Sequence, residues 1–364
     1  MTAAEREPLA EALRARIGRD GPIAVEEYMR LAVARYYAGA DPLGARGDFI
    51  TAPEISQVFG ELIGLWCAAT WQEIGAPDPV ALVELGPGRG TLMADALRAA
   101  ATVPAFRRAI RVHLVETSPA LRERQRIALA GLDAAWHETL SSVPQGRFLL
   151  VANEFFDALP VRQLVRVGTA WRERKVGIDR ADGSLRFVVE DGGTDATPEI
   201  PPALRGAPDG SILERSPDAT ALATEIGGRI AAQDGAALIV DYGHGRTAPG
   251  ETLQAMRRHR RHDVLAEPGE ADLTAHVDFA ALADSAGRSG ARVWGPISQG
   301  AFLTRLGIEA RAARLIAAAK PDQAFLIRSG CRRLIDPAEM GSLFQVISMT
   351  RPDRSAPAGF ETAR

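Results

Sequence analysis

The sequence predicts an α/β fold, a mostly parallel, doubly wound sheet with a helical N-terminal cap and inserted hairpin and loop elaborations. Three observations predict it. Short apolar runs rich in Val, Ile and Leu recur as PVALVEL, IRVHLVE, RFLLVANE and AALIVDYG, continuous as strands buried on both faces must be. Helical segments follow the first two, TLMADALRAA and PALRERQRIALAG, giving βαβ units with right-handed crossovers. A glycine-rich turn, GPGRG, joins the first run to its helix.

Composition bounds the class. With 364 residues, 46% hydrophobic and 24% charged, the chain suits one catalytic domain enlarged by insertions. A formal net charge of −3 offers nucleic acid no global attraction. Two cysteines, Cys67 and Cys331, make neither a disulfide framework nor a four-ligand zinc site, and the N-terminus lacks a signal peptide's apolar core. A cytoplasmic location is therefore expected. The longest apolar stretch, Leu62 to Trp71, has about half the length a membrane-spanning helix needs, so no membrane insertion is expected.

Residues 5–38 read as helices, IAVEEYMRLAVARYY placing apolar residues at helical spacing, before the loop GADPLGARGDF. Thr51 to Glu54 match a capping box that opens a helix running to Trp71. Residues 1–75 are thus a helical cap with its loop, and 76–350 the core, with insertions at about 161–215 and 243–275. The first insertion alternates polar and apolar residues about an ADGS turn and reads as an antiparallel hairpin added at an edge or as a lid. The second carries RRHRRH and reads as a mobile surface loop. Four arginines around His259 and His262 make it a solvated basic loop, and no metal is expected. Beyond it, HVDFAALADSAGRSG reads as a helix, ARVWGPI and FQVISMT as strands, and 351–364 as a flexible tail.

Glycines 86, 88 and 90 let the backbone pass close to a ligand at a helix start with unpaired N–H groups. A dinucleotide fingerprint needs glycine at position 91, which is Thr91, and the terminal Lys-Ser/Thr of a P-loop is missing. Gly-x-Gly-x-Gly suits instead an amino-acid carboxylate such as the methionine part of S-adenosylmethionine (SAM), making the fold that of a class I (Rossmann-like) SAM-dependent methyltransferase. Glu84 would meet the SAM amino group, and Glu116, ending the second run, both ribose hydroxyls. Ser118 and Pro119 start the next helix. Glu84, Gly86, Pro87, Gly88, Gly90, Glu116 and Ser118 are the candidate cofactor residues.

Asn153, Glu154 and Asp157 follow the third run, beside Phe155 and Phe156. Carboxylates there are either partners for a cationic substrate or helix-start acids. A guanidinium is a poor nucleophile, its charge delocalised and its pKa above about 12. Paired carboxylates hold it bidentately and take the proton lost on methylation. Asn153 is a candidate for both cofactor and acceptor.

GARGDFITAPEISQVFGELIG, VELGPGRGTLMADALR, VANEFFDALPVRQ, LIVDYGH and ADLTAHVDF together resemble the MidA family of methyltransferases over roughly residues 20 to 350. The resemblance implies protein-arginine N-methylation, since the family's mitochondrial member symmetrically dimethylates an arginine of the 49-kDa subunit during respiratory complex I assembly. It also implies that Gly47, Asp48, Phe49, Thr51, Pro53 and Glu54 fold over the cofactor, against the capping role of Thr51 and Glu54. His276, in TAHVDF, is either a proton shuttle or a structural histidine. A small-molecule methyltransferase and a SAM-binding assembly chaperone are the rival readings. Nothing fixes monomer or homodimer.

Overall fold

A computed structural model of the chain describes residues 9–38, 50–190 and 192–361. The chain divides into two compact units, one of Ile50–Phe156, Thr220–Gly245 and Val277–Arg364, the other of Met1–Phe49, Asp157–Ala219 and Arg246–His276.

The first unit is built on seven strands: β1 (Val80–Leu85), β2 (Ile110–Val115), β3 (Ala134–His137), β4 (Phe148–Asn153), β5 (Gly235–His244), β6 (Arg292–Ser298) and β7 (Phe344–Thr350). They lie in the order β6-β7-β5-β4-β1-β2-β3, and the short Val277–Asp278 strand pairs with the end of β5. Neighbours from β3 to β5 are parallel, while β7 runs antiparallel to both β5 and β6. Chain order reverses between β1 and β4, the position where open α/β sheets bind ligands at their carboxyl ends. Helices α1 (Gln57–Glu73), α2 (Thr91–Ala100) and α3 (Pro119–Ala128) follow in sequence. The core packs Leu62, Ile63 and Trp66 of α1 and Leu92 and Leu97 of α2 with the sheet residues Leu82, Leu114, Leu149, Val151 and Leu238. A Cβ on Gly64 would lie 2.4 Å from the Ala96 carbonyl oxygen, so only glycine lets α1 come this close to α2.

The continuous helix expected from Thr51 to Trp71 is two helices. Ser56, at φ −156° and ψ 128°, is extended, ends Ala52–Ile55 and caps α1 through its hydroxyl on Val58 N–H. The segment expected as a flexible tail packs on this unit. Phe360 is buried against Phe302 (ring centroids 5.4 Å apart), Arg305 donates to the Gly359 carbonyl, and Arg354 pairs with Asp234.

The second unit joins segments expected to be separate. Helices Leu9–Asp20 and Val25–Ala38 bury Leu13, Ile17, Tyr28 and Met29 against Val161, Val176, Leu253 and Leu273. The first insertion is no simple hairpin. Ala170–Ile178 pairs antiparallel with Arg162–Val167, Leu185–Val189 and the N-terminal Ile23–Ala24, and Arg162–Val167 also pairs with Ile212–Arg215. The expected mobile loop is a three-stranded antiparallel ribbon of Gln254–Arg257, Arg260–His262 and Asp272–Thr274. Arg258 and His259 form its two-residue turn with φ of 50° and 61°, the left-handed pair that matches hairpin twist. Arg257 pairs with Glu267, which neutralises part of the basic cluster. These partners lie far apart in sequence, so local patterning does not reveal them. Among the described residues no helix is long and apolar enough to cross a membrane.

Phe360→Ala is expected to cost about 3 kcal/mol, the scale of emptying a buried aromatic site. Thermal unfolding checks this, and an unchanged midpoint would mean that the end of the chain packs on nothing.

A candidate cofactor crevice at the carboxyl end of the sheet

β1 delivers Glu84 and then the turn. Gly86, Gly88 and Gly90 have φ of 59°, 52° and 83°, a left-handed backbone that side chains with a Cβ rarely adopt. The Gly86 N–H donates to the Val115 carbonyl of β2, and Pro87 is buried, its carbonyl accepting from Gly90 N–H at 2.7 Å. A Cβ on Gly86 would lie 2.6 Å from the Phe155 ring. Phe155 therefore lies against the glycine-rich turn, while Phe156 is buried and stands edge-on to it.

Glu84 is 3% exposed, and its Oε2 is buried with no hydrogen-bonding partner. Burial pushes its carboxyl up to about 8. Burial thus keeps such an orphan protonated at neutral pH, and a cation beside it would favour its ionised form. Asn153, ending β4, presents a second buried unpartnered atom, Oδ1. The cradle and its orphaned acceptors fit the amino-acid end of SAM.

Glu116 follows β2. One carboxylate oxygen accepts the Ser118 N–H at 2.8 Å and the other the Gln125 amide at 3.2 Å. Burial raises its pKa, against the lowering effect of these donors. Ser118 caps α3 through Leu121 N–H, as expected. Sequence reasoning missed Gln125, which is fully buried. Its Nε2 donates to the Gly88 carbonyl at 2.8 Å as well as to Glu116, and its Oε1 accepts from Trp136 of β3 at 2.8 Å. One amide thus ties the turn, the acid after β2 and β3 together. The available signal was its place four residues after Leu121, on the inward stripe of α3 where an apolar residue is the rule.

The capping box at Thr51 does not form. Thr51 caps nothing with its side chain, and Glu54 turns to the Thr91 hydroxyl and lies 3.6 Å from Arg89. The N–H of Ala52 is instead taken by Glu154 Oε1 at 2.8 Å. Glu154 has φ +50°, a conformation costing about 1–3 kcal/mol. Buried Asp241 offsets it, accepting the N–H groups of Phe155 and Phe156 at 3.1 and 2.9 Å.

The boundary between the two units falls inside the segment that holds the sequence-predicted acceptor residues. Asn153 and Glu154 belong to the unit that carries the crevice, whereas Asp157 and His276 belong to the other. There the Asp157 carbonyl accepts from Ala275 N–H, and the His276 N–H donates to Thr252. Tyr37 donates to Asp272 at 3.2 Å, and burial, then the charges of Asp272 and Asp157, hold its phenol well above its usual pKa. Asp157 thus keeps company with Asp272 and Tyr37. Gly47, Asp48 and Phe49 lie outside the described residues.

Residues 62–297 match the family described as "Putative S-adenosyl-L-methionine-dependent methyltransferase". The mitochondrial protein arginine methyltransferase NDUFAF7 homolog of Drosophila melanogaster is 40% identical, over 94% of this chain and 84% of the relative. The Homo sapiens protein arginine methyltransferase NDUFAF7 is 37% identical, over 94% and 83%. A Burkholderia thailandensis crystal structure bound to S-adenosyl-homocysteine superposes with a TM-score of 0.83 at 29% identity, covering 99% of this chain and 96% of that one. These relatives correct one expectation. They are named mitochondrial, which overturns the cytoplasmic location read from cysteine usage and the N-terminus.

Two outcomes are expected. Gln125→Ala should weaken SAM binding about tenfold, the scale of one buried hydrogen-bond network; calorimetric titration measures it. A Glu84 carboxyl raised to about 8 from 4.5 is protonated in the folded chain and ionised in the unfolded chain between those values. Its contribution to cofactor-free stability is therefore complete below about 4.5 and lost as pH rises through about 8. A cationic amino group that ionises Glu84 should release about one proton near pH 6.5, read as a buffer-dependent binding enthalpy that Glu84→Gln abolishes.

Proposed function

The chain belongs to this family of SAM-dependent methyltransferases, and from that premise we propose that it methylates an arginine side chain of another protein. The observation that carries the acceptor class is the 37–40% identity, over about 94% of the chain, to proteins named protein arginine methyltransferases. As the specific substrate we infer a respiratory complex I subunit of the 49-kDa type, met during assembly.

The chain's own residues would divide the work as follows. Glu84 and the glycine-rich turn would hold the methionine end of SAM, and Glu116 the ribose, its position set by Gln125 and Ser118. Asn153 Oδ1 is left to accept from the bound ligands. SAM supplies an electrophilic methyl group, and catalysis is chiefly the alignment of a nucleophile with it. A guanidinium must give up a proton on methylation, and nearby carboxylates receive it. Asp157, buried and in the electrostatic company of Asp272 and Tyr37, is the carboxylate we assign to the guanidinium. Glu154 bonds Asn153 and Ala52, and half-buried His276 is the candidate for carrying the proton onward.

The test is transfer of labelled methyl from SAM into the purified 49-kDa-type subunit, comparing wild type with Gly88→Val. Label on one arginine, lost in the variant, supports the reading. SAM binding with no transfer to a folded subunit would point to another acceptor.

A further inference from the structure

A four-residue helix does not hold itself in place, because its turn is too short for cooperative hydrogen bonding. Ala52–Ile55 is such a helix; the Thr51 carbonyl accepts the Glu54 and Ile55 N–H groups, but the Thr51 side chain caps nothing and leaves the Ala52 N–H to another partner. What fixes it comes from two strands that flank the reversal of chain order. Just after β4, Glu154 Oε1 accepts the Ala52 N–H at 2.8 Å, and the same oxygen accepts Asn153 Nδ2 at 3.1 Å. From the turn after β1, the Thr91 hydroxyl donates to Glu54 Oε1, and Arg89 lies 3.6 Å from Glu54 Oε2. The helix thus offers one carboxylate and receives another. The Glu154 backbone is held at φ +50° to do this, braced by Asp241 and by its own N–H on the Val240 carbonyl.

We propose that Glu54 and Glu154 form a two-point clasp that seats the 51–55 turn on the cofactor crevice, making both positioning residues for SAM rather than acid–base groups; this rests on the crevice being the SAM site. Glu154 acts through two neighbours. Its hold on Ala52 places the turn, and its bond to Asn153 Nδ2 directs the Asn153 carbonyl oxygen, buried and unpartnered, to the ligand. Glu54 acts through Thr91 and Arg89, at the helix start where the cofactor's carboxylate would lie. Thr91, the residue that spoils a dinucleotide fingerprint, has a use here as the clasp's hydroxyl donor.

Steady-state kinetics and SAM titration of the full-length protein test the clasp. Glu154→Ala should raise the Kd and KM for SAM about tenfold while kcat at saturating SAM stays within about threefold of wild type, the scale of one lost charge-assisted hydrogen bond. Glu154→Gln, which keeps an acceptor for the Ala52 N–H, should restore SAM affinity to within about threefold of wild type. Thr91→Val and Glu54→Ala should each weaken SAM binding, and the double variant should be no weaker than the worse single one. Circular dichroism melts show which variants are folded, and Thr91→Val leaves both carboxylates intact if the glutamate variants do not fold. A Glu154→Gln variant that loses kcat more than about a hundredfold with SAM affinity unchanged would make Glu154 a proton acceptor and overturn the clasp. Additive losses from Thr91→Val and Glu54→Ala would overturn it too. Wild-type protein that fails to bind SAM, or Gly88→Val protein that binds it as well as wild type, would refute the SAM site itself rather than the clasp.

Discussion

The site depends on a buried carboxylate whose second oxygen no group in the protein satisfies. Glu84 lies one residue from the carboxyl end of β1, and burial holds its carboxyl up to about 8. Burial, and secondarily the nearby Glu84, push the Cys67 thiol up to about 12. An arrangement that leaves such a group unpaired loses stability unless a ligand pairs with it. The surrounding features keep that position open to a ligand: glycines that a Cβ would block, Phe155 laid against Gly86, and Gln125 bracing the Gly88 carbonyl and Glu116.

The strands and the glycine-rich turn that form the candidate cofactor crevice were largely legible in the sequence, because their signals are local. Four apolar runs became β1, β2, β4 and β5 with shifts of a residue or so, and TLMADALRAA became α2 without change. The glycine-rich turn, Glu84 near the end of β1 and Glu116 just after β2 sit where the strand-end rule puts ligand residues. β3 escaped notice because AAWH is four residues long and half-buried, with no apolar run to announce it. Gln125 escaped because its role is set by three partners from three different elements.

What was not legible is non-local. The N-terminal helices, the first insertion and the RRHRRH segment each read as a separate attachment, yet they share one apolar core through Val176, Leu253 and Leu273. Strand pairing such as Ile23 with Val176 leaves no trace in either segment alone. The TAPE segment shows the same limit at shorter range. Thr51 and Glu54 have the spacing of a capping box, but tertiary partners outbid the local one, Glu54 going to Thr91 and Ala52 N–H to Glu154. Of the carboxylates after β4, Glu154 takes the Ala52 N–H and the Asn153 amide, while Asp157 lies in the electrostatic company of Tyr37 and Asp272, partners distant in sequence that no local pattern announces.

The central claim is that Glu84 awaits the amino group of SAM. A crystal structure of this chain soaked with S-adenosyl-homocysteine tests it most directly. The account predicts the ligand's amino nitrogen within hydrogen-bonding distance of Glu84 Oε2 and its ribose hydroxyls on Glu116. Ligand bound with the Glu84 carboxyl still unpartnered, or bound away from the glycine-rich turn, would contradict it.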